Sequence, residues 1–253
     1  MSQPTVAPVG HRELQQLSAF LAKSDGKEKL LTAIQYASMF IAAGSPGNAA
    51  NVQKSVAAAR KVMHFLQPVQ VAAPLVLQGV RVKQSQLSTV GARKLRALFL
   101  ATYFGFDNLV WAYQVGLLKG ADAQTRAQRL SWYFLMAGSA LGVVAEVSEI
   151  LAAVYQALAR AATSGSVAQS DGTVAGKPST PWALLPSMDT VIDRAIKLAV
   201  PTCQTLLGLG LLQLLPLKPR RTATFGFVAA VLNCYMLMPP KPPLPAPEKA
   251  KTS

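Results

Sequence analysis

Two stretches near the end of the chain carry no charge: Leu198 to Leu217 and Thr222 to Pro240. Each is about as long as the ~20 apolar residues that a helix needs to cross a bilayer. Lys218, Pro219, Arg220 and Arg221 form a short basic turn between them. A water-soluble fold has to cover such runs on every side. A membrane protein can leave them facing lipid. The pattern therefore predicts a C-terminal helical hairpin, or one span preceded by an embedded helix, with Pro201 kinking the first helix and Pro216 at its end.

Composition supports a membrane location. Of the 253 residues, 51% are hydrophobic and 14% are charged, with 25 Lys plus Arg against 11 Asp plus Glu. Soluble domains usually carry about a quarter charged residues. From Leu30 to Phe106 there are basic residues and no acid. A basic excess suits nucleic acid or an anionic membrane. No nucleic-acid module is visible, and the basic residues alternate with apolar runs, which favours lipid. Cys203 and Cys234 lie in apolar stretches and read as small buried side chains. His11 and His64 complete no metal set. Neither a nucleophile–base set nor a nucleotide loop is present, so no enzyme activity and no cofactor are expected.

Further toward the N-terminus, the pattern predicts helices. One runs from Arg12 to Lys23. A second opens at Asp25 and Glu28, spaced like a capping box, and ends at Gly44–Gly47. A third spans about 48–67 and is strongly two-sided. Val52, Val56, Val62, Met63 and Leu66 gather on one half of the wheel, and Lys54, Arg60, Lys61 and His64 on the other. Such a helix can lie in the headgroup plane, its apolar side sunk into the acyl boundary and its basic side drawn to anionic lipid. The expected membrane-surface residues are Lys54, Arg60, Lys61, Val52, Val56, Met63 and Leu66.

The stretch Ala97–Leu118 is apolar apart from Asp107 and can span or embed. Leu130–Tyr155 begins with an aromatic group at 132–134 and carries Glu146 and Glu149 one turn apart, expected to face partner helices. Gly138 and Gly142 form a small-residue step that permits close helix–helix approach and dimerisation. The expected organisation is a basic amphipathic region at 1–96, membrane-associated helices at 97–160, a loop at 161–187, a transmembrane region at 188–240 and a Pro-rich tail at 241–253.

Several stretches resemble the peroxin-11 family. They are Ser24-Asp25-Gly26-Lys27-Glu28-Lys29-Leu30-Leu31 running to Ile34-Gln35-Tyr36, then Ala59-Arg60-Lys61-Val62-Met63, then Phe106-Asp107-Asn108-Leu109-Val110-Trp111 with Val115-Gly116-Leu117-Leu118. The apolar C-terminal run also fits. At His64-Phe65-Leu66 the chain departs from the family's Arg-x-Gly. The resemblance implies an integral protein of the peroxisomal or glycosomal membrane with cytosolic termini. It further implies elongation of the organelle before fission, self-association, and cooperation with a dynamin-related GTPase and its membrane adaptor. The alternative is a pore for small metabolites, with Asp107, Glu146 and Glu149 lining a water-filled path.

Overall fold

The computed structural model describes residues 9–78, 87–167 and 188–240. Among these residues the chain is all-α, as the sequence predicts. The helices are α1 (Val9–Ala22), α2 (Ser24–Ala42), α3 (Asn48–Met63), α4 (Gln67–Gln78), α5 (Leu87–Gln114), α6 (Ala121–Val167), α7 (Met188–Leu211) and α8 (Pro219–Leu237). Arg81, Lys83, the Pro-rich tail and the part of the expected loop beyond Val167 lie outside the described residues. The break between α1 and α2 is confined to Lys23, whose backbone is extended. It makes no side-chain cap bond, and Glu28 does not close a capping box but packs into the interior. Both expected boundaries at 96/97 and 160/161 fall inside continuous helices, α5 and α6.

Helices α5, α6 and α7 form an antiparallel layer. Phe106 of α5 stacks on Phe134 of α6, with ring centres 5.6 Å apart. Gly138 of α6 faces Phe99 and Leu100 of α5. Ser139 of α6 reaches Gln204 of α7, and Gly208 of α7 faces Met136 of α6. Helix α8 turns back from α7 at a close contact, Gly210 against Thr222. Its far end lies beside His64 and Phe104, so α8 crosses the layer instead of continuing along α7. Helix α2 runs antiparallel to α8, with Gly44 beside Pro219 and Tyr36 against Gly226. Helix α3 folds back on α2 and also touches α5.

The long apolar helix is α6, not the C-terminal pair. Among the described residues, Ala121–Arg160 is the segment long and apolar enough to cross a membrane. In the C-terminal pair α7 ends at Leu211, five residues before Pro216, and Gln213 turns the chain with a positive φ of 57°. At 1.5 Å per residue, α6 is about 70 Å long, more than twice a ~30 Å hydrocarbon core. Only 22% of its apolar window is buried in the molecule. A core helix of a soluble protein would be mostly covered.

The interior is built from small and polar groups. Among the described residues, eight of the fourteen buried apolar side chains are alanines, which lets backbones approach closely. Ser131, Ser139, Thr222, Glu28, Lys61, His64 and Asp107 are buried as well. Large apolar side chains point outward, among them Val76, Leu77, Leu151, Tyr155 and Phe40. This inverts the distribution of a soluble domain and matches helices packed in lipid, where small residues make the contacts and bulky ones meet acyl chains.

A Cβ at Gly226 would sit 2.5 Å from the Tyr36 ring, whereas one at Gly105 meets nothing within 4 Å. Gly226→Ala is expected to destabilise the protein by about 1–3 kcal/mol through overpacking. Gly105→Ala should be neutral or stabilise by up to about 1 kcal/mol. Thermal unfolding of the two variants in detergent checks the contrast.

Candidate functional site

Helix α3 is two-sided in the way its sequence predicts, but Arg60, Lys61 and His64 of the polar half face inward. Val52, Val62, Phe65 and Leu66 are exposed, while Val56 and Met63 are half-buried. Lys54 remains exposed. Arg60 and Lys61, expected to meet lipid headgroups, are enclosed between helices instead, with side chains 13% and 9% exposed. The reason is that partners for both charges are provided by α2 and α5.

The partners meet because each helix places them on one face. On α2, Glu28, Thr32, Gln35 and Tyr36 fall at i, i+4, i+7 and i+8. On α3, Arg60, Lys61 and His64 share a face, and on α5 Asp107 lies one turn beyond Tyr103 and Phe104. Arg60 donates to Glu28 Oε1 through Nε at 3.0 Å and Nη2 at 2.7 Å, and to Gln35 Oε1 through Nη1 at 2.5 Å. Thr32 Oγ1 donates to the same Glu28 oxygen at 2.9 Å, and Lys29 Nζ lies 2.7 Å from Oε2. Lys61 Nζ pairs with Asp107 Oδ1 at 3.2 Å and donates to Gln128 Oε1 of α6 at 3.1 Å.

His64 joins the two carboxylates. Its Nε2 is 3.1 Å from Glu28 Oε1 and its Nδ1 is 3.0 Å from Asp107 Oδ2. A doubly protonated ring donates to both, whereas a neutral ring donates to one. Burial alone would push the Glu28 carboxyl up. The His64 hydrogen bond and the charges of Lys29, Arg60 and His64 outweigh it and hold the group well below the usual carboxylate range.

The stretch Phe106–Trp111 docks the end of α3. Besides Asp107, Asn108 Nδ2 donates to the carbonyl of Phe65 at 3.1 Å, and the Trp111 ring meets the Phe65 ring edge-on, 6.3 Å between centres. Together these contacts fix the turn that presents Phe65 and Leu66. Glu28, His64 and Asn108 were not singled out as site residues by sequence reasoning. Their available signal was an acid, a histidine and an amide within otherwise apolar surroundings.

A second charged group ties α5, α6 and α7 together. Glu146 and Glu149 face partner helices, as expected. Arg93 contacts both, at 3.6 Å from Glu146, and Arg194 Nη1 is 2.5 Å from Glu149 Oε2. Gly138 and Gly142 do serve close helix packing, but within one chain. Gly138 meets Phe99 and Leu100 of α5, and Gly142 meets Arg96 of α5 and Pro201 of α7. Cys203 and Cys234 are free thiols, half-buried. Among the described residues no three His, Cys, Asp or Glu side chains could hold a metal ion.

These features were compared with known proteins. The family described as Peroxisomal biogenesis factor 11 (PEX11) matches residues 14–238. The chain belongs to the PEX11 family. Peroxisomal membrane protein 11D of Arabidopsis thaliana is 29% identical over 247 residues, covering 96% of this chain and 99% of its own. Peroxisomal membrane protein 11-1 of Oryza sativa subsp. japonica is 30% identical over 235 residues, covering 91% and 94%. No solved structure matches. The match to PEX11 covers helices α2 to α8 entirely and carries all of the buried charge network. This PEX11 chain is a non-enzymatic peroxisomal membrane protein.

The network gives an acid-dependent stability. Because the folded Glu28 carboxyl titrates well below its unfolded value of about 4.3, its contribution is full above that pH. It drains away as pH falls from there through the folded value. Protease resistance of the detergent-solubilised protein should be flat from neutral pH to about 5 and fall below about 4. Glu28→Gln leaves Arg60 buried without its counter-ion, so it should cost about 3–5 kcal/mol near neutral pH and remove this component of the acid loss.

Proposed function

We propose that the chain remodels and elongates the peroxisomal membrane ahead of fission, with the exposed apolar side of α3 and α4 as its wedge. The observation that carries this reading is the orientation of the end of α3: Arg60 and Lys61 are paired inside, and Val52, Val62, Phe65 and Leu66 face out. Each such side chain gains about 1.5–3 kcal/mol on leaving water, enough to hold the helix in one leaflet. Material added to one leaflet expands it and favours curvature. Helix α6 acts as the membrane anchor, and α7 and α8 complete the embedded C-terminal region.

Attraction to anionic lipid then comes from a rim at one end of the α5–α7 layer. Lys119 lies in the α5–α6 turn with Arg126 and Arg129 in the first three turns of α6, and Lys218, Arg220 and Arg221 lie at the α7–α8 turn. All six are exposed. The antiparallel register brings the two turns to the same end. Basic residues near an anionic surface add roughly 1 kcal/mol each. Self-association, and recruitment of a dynamin-related GTPase with its adaptor, are the partners this reading takes from the family. The pore reading is less favoured, because Asp107, Glu146 and Glu149 are engaged by cations of neighbouring helices.

The test uses the full chain in anionic vesicles, with tubulation scored by electron microscopy. Val62→Ser together with Leu66→Ser should weaken tubulation by about a hundredfold in the protein density required, from the two lost insertion energies. The variant should stay membrane-bound through α6. Unchanged tubulation would sink the wedge.

A further inference from the structure

A cavity of about 220 Å³ opens where the start of α2, the end of α3, the middle of α5 and the end of α8 meet. At roughly 30 Å³ per water-sized unit it holds about seven such units, below the roughly 300–1,000 Å³ of pockets for drug-sized molecules. It has room for a compact polar group and none for a nucleotide or an acyl chain. Its floor is formed by Glu28 and His64, already engaged with each other.

The groups free to bind stand at the mouth. Asp25 is exposed and forms no ion pair among the described residues. Lys29 meets Glu28 Oε2, which leaves ammonium donors for a second acceptor. Asp25 and Lys29 are one helical turn apart, roughly 5–6 Å between Cβ atoms. On the other wall Phe104, Met236 and Leu237 are apolar. The site thus offers an anion, a cation and an apolar wall.

We propose that this cavity binds phosphoethanolamine chemistry: a primary ammonium at Asp25, a phosphate at Lys29, and the carbon portion against Phe104 and Met236. A bare phosphate would use Lys29 and leave the exposed Asp25 carboxylate beside it without a cation. A quaternary ammonium has no N–H to donate, and one phenyl ring does not make the aromatic cage that such groups prefer. The mouth is bordered in sequence by exposed apolar residues, Leu30, Leu66 and Tyr235, so a phospholipid can present its headgroup from the side. The site does not rest on the remodelling reading.

The test is native mass spectrometry of the full chain in neutral detergent, titrated with dihexanoyl phosphatidylethanolamine, phosphatidylcholine or phosphatidic acid. One ethanolamine lipid should bind at least about tenfold more tightly than the other two, and Asp25→Asn and Lys29→Gln should each remove that preference. Free phosphoethanolamine serves as competitor: displacement assigns the site to the soluble compound as well, and its failure assigns the site to the lipid. Asp25 is exposed, so its variant keeps the fold, and a melting curve verifies this. Equal binding of the three lipids, or a preference untouched in both variants, would overturn the proposal.

Discussion

The ion pairs between Glu28, Arg60, His64, Asp107 and Lys61 are the interactions on which the other features depend. They join α2, α3 and α5 through buried charge, and Gln128 extends them to α6. Breaking such a group by removing one partner leaves an uncompensated charge inside, which is far more costly than losing a surface pair. Because these charges are consumed inside, the outer side of α3 is free to be apolar. The network therefore decides which face of the helix the protein shows to its surroundings.

Close packing completes the inversion. Alanines and glycines fill the helix contacts, with Gly226 under Tyr36, Gly210 under Thr222 and Gly208 under Met136. Large side chains have little room between helices set this close and go to the outside. In water such a surface would aggregate. In a bilayer it is solvated by acyl chains. Helix α6, with most of its apolar window uncovered, follows the same logic.

Helix content was legible in the sequence because periodic apolar residues and breakers at Gly44–Gly47 and Pro219 mark the elements locally. The two halves of α3 were legible too. Which half points inward was not, since this depends on Glu28 and Asp107, 32 and 46 positions away from Arg60 and Lys61. The same limit applies to Gly138 and Gly142. Their spacing permits close packing, and only the placement of α5 and α7 against α6 shows that this chain's own helices lie there. In the C-terminal run, hydropathy does not reveal the left-handed Gln213, which follows the end of α7 at Leu211.

The inverted orientation of α3 is most directly tested by electron paramagnetic resonance of the full chain in vesicles. Spin labels are attached through Val62→Cys, Leu66→Cys and, for contrast, Lys54→Cys, after replacement of Cys203 and Cys234. The account predicts that labels at 62 and 66 collide with oxygen dissolved in the acyl region and are shielded from an aqueous nickel complex, while the label at 54 meets the nickel complex. Labels at 62 and 66 that are open to the aqueous complex would contradict it.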